Sequence, residues 1–455
     1  MTDTDRITVY EDNPRYWQYK GKPVLLLGGS DLDNLFRIPN LAEHLDLLQS
    51  AGGNYVRCTM STHASWFYPF EKVAEPYIVA HYDLGQWNEE YWERFEEALK
   101  LAWERDIIVQ IEIWGTFDYY RGYWDRQSFN PKNNVNYDVE SSGLPVVVDS
   151  HPIKAENPFF WSVPEEHDNA IVLKYQRRFV DKLLDYALPY PNVLYCMDNE
   201  TSVTPKWGAY WSEYIKARAA REGVLVHTTE MWDPHDLSHQ MHKATFDHPE
   251  TYSFVEVSQN NHQRGETHWK NAQKARASIY PPRPMSNVKI YGSDEPYKDA
   301  PADARDGRGG LFGRTRDGIE RFWRNIFGGH AACRFHRPPS GIGLTPKAQA
   351  QIRSMRMLTD RMDIFSCEPH NDLLSNRKEN AAYAMANPGC EYAVYFPNGE
   401  AVDIDLGAAE GELQAAWLDI AKSAWAREHT VPGGSVVTLS PPAKGYWAVL
   451  IDRGE

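Results

Sequence analysis

The stretch "NVLYCMDNE" at residues 192–200 begins as an uninterrupted apolar run and stops abruptly on Asp198, Asn199 and Glu200. A short apolar run without alternation suits a strand covered on both faces, as in a parallel sheet flanked by helices. Its end is either a surface turn or a polar mouth where chemistry takes place. The flanks bear on the choice. Upstream, "AIVLKYQRRFVDKLLDYAL" (170–188) spaces its apolar residues for a helix, and downstream "PKWGAYWSEYIKARAAREG" (205–223) opens on Pro and closes on Gly as helices prefer. The run is therefore one strand in a strand–helix alternation.

That alternation extends in both directions. The spacing predicts strands at 23–29, 54–60, 107–115, 192–198, 224–230, 252–258, 288–295 and 330–337. Helical patterns follow them at 40–52, 88–106, 170–188, 205–223, 235–245, 266–280, 315–329 and 345–365. Eight such units favour an α/β fold of the (β/α)8 TIM-barrel type over an open doubly wound sheet. No G-x-G-x-x-G follows the first strand, so a dinucleotide site is not indicated. Residues 1–22 read as an N-terminal β-hairpin region with a turn near Lys20, placed under the barrel floor, and 23–368 as the barrel. Residues 369–455 break into short alternating runs between Gly, Pro and Asn turns, the pattern of a small antiparallel β-sandwich.

Composition narrows the function classes. The 455 residues are 42% hydrophobic and 24% charged, as in ordinary globular chains. A formal charge of −15, with no Lys/Arg-rich run, argues against nucleic acid as partner. No apolar run approaches the roughly 20 residues of a membrane helix, so no membrane partner is expected. The start, "MTDTDRITVY", lacks the basic and apolar regions of a signal peptide, which points to the cytoplasm unless a leader has been removed. Cys58, Cys196, Cys333, Cys367 and Cys390 form no C-x-x-C pair, and the first three lie in strand-like runs as small core residues.

Barrel enzymes build their sites at the C-terminal strand ends. Those ends are polar here: Asp31 and Asp33 after strand one, Arg57 on two, Glu112 and Trp114 on three, Asn199 and Glu200 on four. Glu230 stands on five, His262 follows six, Asp294 and Glu295 end seven, and His336 ends eight. Two carboxylates on separate strands suit cleavage of a glycosidic bond, one protonating the leaving oxygen and the other attacking carbon or activating water. The acid then needs a raised pKa, and the nucleophile needs a cation such as Arg57 nearby.

The motifs "DNE" (198–200), "YGSDE" (291–295) and "NYVR" (54–57) resemble clan A of the retaining glycoside hydrolases over roughly residues 20 to 365. That resemblance implies Glu200 as acid/base, Glu295 as nucleophile, Asn199 as ligand of the substrate 2-hydroxyl and Arg57 as support for the nucleophile. The segment "NPRYWQYKGKPVLLLG" and the C-terminal runs also resemble the apiosidase-like type, which ends in a small domain labelled collagen-binding-like. The chain departs from the clan by Asn-Glu-Thr in place of Asn-Glu-Pro, and by Phe335 and His336 in place of a Trp on strand eight.

Several alternatives stay open at this level. Arg57 is either a site residue or a structural ion pair, and Glu112 is either a substrate ligand or its partner. Asp294 competes with Glu295, since a one-residue slip in register exchanges which of them faces inward. The insertion at 114–137, dense in aromatics, offers Trp114 and Trp124 as stacking platforms for sugar rings, with "STHASWFYPF" (61–70) as a second wall and 297–315 as a lid. His235, His239 and His242 have helical spacing, yet no H-E-x-x-H is present and no metal is assigned. The reading is a retaining glycosidase acting on an oligo- or polysaccharide, without a cofactor. Its rival is a non-catalytic carbohydrate-binding barrel, and a metal-dependent hydrolase is third.

Overall fold

The computed structural model describes residues 5–61, 68–73, 81–294 and 312–454. Eight parallel strands form one sheet: β1 (Leu26–Gly29), β2 (Tyr55–Thr59), β3 (Ile108–Gly115), β4 (Val193–Asn199), β5 (Thr228–Thr229), β6 (Val255–Glu256), β7 (Met285–Ile290) and β8 (Ala332–Phe335). Their order, β5-β4-β3-β2-β1-β8-β7-β6, follows the chain around a ring. Eight helices alternate with them: α1 (Leu41–Ser50), α2 (Glu89–Trp103), α3 (Ala170–Ala187), α4 (Pro205–Arg221), α5 (Gln240–Phe246), α6 (Gly265–Ser278), α7 (Thr315–Phe327) and α8 (Pro346–Thr359). This is the (β/α)8 barrel that the alternation predicts. Gly28 of β1 shows how tightly it closes, since a Cβ there would lie 1.8 Å from the Tyr55 carbonyl oxygen.

The seam between β5 and β6 is the thinnest part. Each is a two-residue strand where the sequence predicts seven. The ring is completed there by the Ser253 amide, which donates to the Thr228 carbonyl at 3.0 Å, and by the Thr228 amide, which donates to Ser253 Oγ at 3.1 Å. Strand seven differs in the other direction, beginning at Met285 and ending at Ile290, so Tyr291 to Asp294 lie beyond it in a loop.

Residues predicted as one strand at 23–29 divide between two sheets. Lys22–Val24 pairs with Trp17–Tyr19, which pairs in turn with Thr8–Val9. The turn runs through Lys20 and Gly21, both at positive φ (51° and 73°). Trp17 packs edge-on against His227 and Phe254, which immediately precede β5 and β6, so this small sheet covers the floor of the barrel. A hairpin of Phe70–Val73 with His81–Trp87, which the sequence reading missed, precedes α2.

Beyond α8 the chain forms a six-stranded antiparallel sheet facing a three-stranded one. Alternation sorts its side chains between two cores. In Glu391–Phe396, Ala393 and Tyr395 join the core shared with the barrel, whereas Tyr392, Val394 and Phe396 join the sandwich core. Trp447–Asp452 divides the same way, with Leu450 on one side and Val449 and Ile451 on the other. Tyr395 stacks on Trp323 of α7 at 5.2 Å, so the larger sheet is buried on both faces.

Candidate active site

The end of β4 is fixed from three sides. Asp198 is fully buried, accepting from Thr116 Oγ1 at 2.9 Å and from Trp207 Nε1 at 2.8 Å. Its own amide donates to Glu230 Oε1 at 2.9 Å, and the Met231 amide donates to the same oxygen. Burial pushes both carboxyls up from their ordinary values, with the Glu112 charge adding to the rise at Asp198 and the Asp198 charge to that at Glu230. The chain then turns through Glu200 at φ 53°, the left-handed region that a non-glycine residue enters at some cost. The turn is held by Thr201 and Asp233, because the Thr201 amide donates to Met231 O (2.9 Å) and the Asp233 amide donates to Thr201 O (2.8 Å).

This turn delivers Glu200 to the barrel mouth. Lys289 Nζ of β7 donates to Glu200 Oε1 at 2.5 Å and to Asn199 Oδ1 at 3.0 Å, and Tyr291 Oη donates to Glu200 Oε1 at 3.1 Å. Burial alone would raise the Glu200 carboxyl, but Lys289, with help from Arg57 and Tyr291, holds it below its ordinary value. The expectation of an acid whose pKa is raised is therefore not met at Glu200. Asp233, close by, is pushed up to about 6 by burial and by the Glu200 charge. An aromatic rim surrounds the group: His262 stacks on His235, Phe312 stacks on Tyr291 at 4.4 Å, and His336 meets the Tyr291 ring edge-on at 4.5 Å.

A second charge cluster lies between β1, β2, β3 and β8. Arg57 donates through Nε to Glu112 Oε1 at 2.6 Å and pairs through its two terminal nitrogens with Glu112 Oε2 (2.5 Å) and Asp33 Oδ1 (2.9 Å). Asp33 also meets Arg337 Nε at 2.7 Å, His336 Nδ1 at 3.3 Å and Arg334 at 3.7 Å. Burial would raise the Asp33 carboxyl, but Arg57, with His336, Arg337 and Arg334, holds it well below the carboxylate range. Arg57 and Glu112 have about 1% or less of their side chains exposed, so their partners are each other. Of the two readings of Glu112, the ion pair is the one the structure shows, and Arg57 reaches the mouth only through Asp33 and its field at Glu200.

The remaining expectations fall unevenly. Trp114 and Trp124 are wholly buried, which overturns their role as sugar platforms. The Trp114 ring packs among Phe179, Trp207 and Trp211 of α3 and α4, and Trp124 donates to Pro145 O. Their aromatic density serves the core beneath the insertion rather than the pocket. Asp31 is exposed and accepts from the Leu344 amide, tying the loop after β8 without joining the Glu200 group. Glu295 lies outside the described residues, as do 62–67 of the supposed second wall and 297–311 of the supposed lid, so the spacing of the two glutamates is not among the observations. Asp294 is exposed, and its amide donates to Thr315 Oγ1.

His235, His239 and His242 do not converge. His235 stacks on His262, His239 caps α5 by accepting from the Met241 amide, and His242 bonds Pro234 O. Among the described residues no group of three or more His, Cys, Asp or Glu is placed to hold a metal ion, and no helix is long and apolar enough to cross a membrane. Lys289, Tyr291 and Asp233 were missed in the sequence. The signal for the first two was present in "VKIY", where a strand predicted over 288–295 puts residues 289 and 291 on one face and a lysine interrupts an apolar run.

No family model matches the chain, and no curated protein matches it. Solved structures do. A glycoside hydrolase family 5 protein from Bacteroides vulgatus ATCC 8482 superimposes with a TM-score of 0.64 at 15% identity, covering 99% of this chain and 93% of that one. A second structure described as a glycoside hydrolase gives 0.63 at 12% identity, covering 99% and 97%. A family 5 mannosidase from Rhizomucor miehei gives 0.52 at 11% identity, covering 79% of this chain and all but 1% of its own, since 99% of it is matched. The first two structures thus share this architecture almost end to end, and the mannosidase shares about four fifths of it.

Proposed function

We propose that the protein is a retaining glycoside hydrolase acting on an oligo- or polysaccharide by double displacement. The observation that carries this reading is Glu200, a carboxylate presented at the C-terminal mouth of the barrel by a left-handed turn, with Asn199 beside it. Barrels of this kind carry many chemistries, so the argument rests on the site more than on the fold. The shared architecture with glycoside hydrolases supports it at the level of fold.

In this scheme Glu200 protonates the leaving oxygen while Glu295 attacks the anomeric carbon, and Glu200 then takes a proton from the incoming water. Asn199 addresses the 2-hydroxyl. The apiosidase-like subtype belongs to the same proposal and rests on the N- and C-terminal sequence resemblance. A panel of aryl glycosides and polysaccharides, with product configuration read by NMR, tests the reading. Turnover with retention, lost in Glu200→Gln and restored to Glu295→Gly by azide as a glycosyl azide of inverted configuration, is the expected result. Azide rescue of Asp294→Gly, with near-normal turnover in Glu295→Gln, would move the nucleophile to Asp294. Binding without turnover would leave a carbohydrate-binding barrel, and loss of turnover on chelation would indicate a metal enzyme.

A further inference from the structure

Strand β7 aims a lysine at Glu200. Lys289 is 1% exposed, its Nζ lies 2.5 Å from Glu200 Oε1 and 3.0 Å from Asn199 Oδ1, and its neighbour Tyr291 donates to the same glutamate oxygen. Both residues that the glycosidase reading assigns to the sugar are therefore gripped by one ammonium. We propose that Lys289 is a positioning residue that fixes the aim of Glu200 and Asn199 and sets the protonation state from which Glu200 works. This rests on the reading of Glu200 as a catalytic carboxylate, and it adds a residue that the two-glutamate scheme does not contain.

The geometry makes the role specific. Oε1 of Glu200 accepts from both Lys289 and Tyr291, while no described residue donates a hydrogen bond to Oε2. Any proton that Glu200 gives or takes must then travel through Oε2, because Oε1 is occupied by donors. A buried ammonium next to a half-buried carboxylate is stable as an ion pair, and protonating Glu200 on Oε2 would leave Lys289 with neutral oxygens alone as partners, Oε1 of Glu200 and Oδ1 of Asn199. The other charged or titratable groups facing Glu200 are Arg57 from β2, Asp233 and His235 from the loop after β5, and His262 from the loop after β6. None of these touches it within hydrogen-bonding distance. Lys289 is the cation in contact.

The test is the pH profile of kcat/KM for wild type, Lys289→Met, Lys289→Arg and Tyr291→Phe on whichever aryl glycoside the wild type turns over. Loss of an opposite charge in direct contact moves a carboxyl upward by about 1 unit or more. Lys289→Met is expected to shift one limb of the profile to higher pH by that amount. The limb identifies the form of Glu200 that enters the reaction: the alkaline limb moves if it enters as an acid, the acidic limb if it enters as an anion. Lys289→Arg should restore most of the wild-type profile, and Tyr291→Phe should move the same limb less. A second measurement does not depend on turnover. In protein carrying 13C-labelled glutamate carboxyls, the resonance absent from Glu200→Gln should titrate at higher pH in Lys289→Met than in wild type. An unmoved Glu200 titration, or a profile that falls in amplitude without shifting, overturns the proposal. Failure of every glycoside with a shifted titration would instead discard the glycosidase reading and leave the role of Lys289 intact.

Discussion

Two groups of buried charges sit a few strands apart in this barrel, and they are built differently. Around Arg57 every guanidinium nitrogen has a carboxylate oxygen, and Glu112 and Arg57 are closed off from solvent. Around Glu200 the pairing is incomplete, for one oxygen is held twice and the other is left without a donor among the described residues. Counted in ion-pair contacts, the first group is saturated and the second is not. Saturation is what a scaffold needs, since a buried charge without a partner is costly. A carboxylate that must exchange a proton needs an oxygen in reserve. The sequence presents both groups as polar strand ends, and only the pairing separates them.

The comparison can be broken at its largest difference. Glu200→Gln should lower kcat by roughly 10³-fold or more, since removing one member of a catalytic unit has effects of that size, with a smaller loss of stability than Arg57→Met because Gln still offers Lys289 an amide oxygen. An equal loss of stability would place Glu200 with the scaffold. Arg57→Met should do the reverse. It strands Asp33 and Glu112 without their main counter-charge, and denaturant unfolding should show a cost of about 3–5 kcal/mol. Trp114→Ala belongs with the scaffold as well, with an expected cost of about 3–5 kcal/mol for an emptied aromatic core. Substrate affinity of the folded variant should be unchanged, and a KM rising without loss of stability would reinstate the stacking role.

The smallest expected effect concerns pH. Glu256, buried in the barrel interior, is pushed up to about 7 by burial, against which Ser258 donates to it. Its folded pKa exceeds its unfolded value, so its contribution to stability is fully present below the unfolded value near 4.5 and is lost as pH rises toward 7. Melting temperatures taken from pH 4 to pH 8 should fall across that window in wild type, and the slope should flatten in Glu256→Gln. An unchanged slope would assign the dependence to Asp198 and Glu230, whose buried carboxyls shift in the same direction.

Much of this was legible in the chain because helices and buried strands write their periods locally. The helix at Ala170–Ala187 and the strand at Val193–Asn199 stand within a residue or two of where their patterns put them. The polar end of that strand pointed to Glu200 for the same reason. What the chain does not write is which strand end meets which. Lys289 reaches Glu200 across the barrel from 89 positions away, and that contact depends on closure of the whole ring. Trp114 was misread because an aromatic-rich insertion among Asn and Asp looks like a wet sugar cleft, whereas its rings turned inward onto α3 and α4. Strand β5 came out short because the ring closes there through a side-chain hydroxyl, a contact with no period to detect.

The six-stranded sheet, with Tyr395 and Leu450 on one face and Val394 and Val449 on the other, acts as a party wall between two rooms. A chain cut after α8 would not yield two tidy modules. The barrel half would expose Trp323 and its neighbours, and the sandwich half would carry a greasy outer face with nothing to lean on. Transplanting this C-terminal unit onto another barrel, or trimming the chain to its barrel, therefore calls for redesign of the wall itself. In evolutionary terms the two halves are bound to change together, because each substitution along that wall is read from both sides.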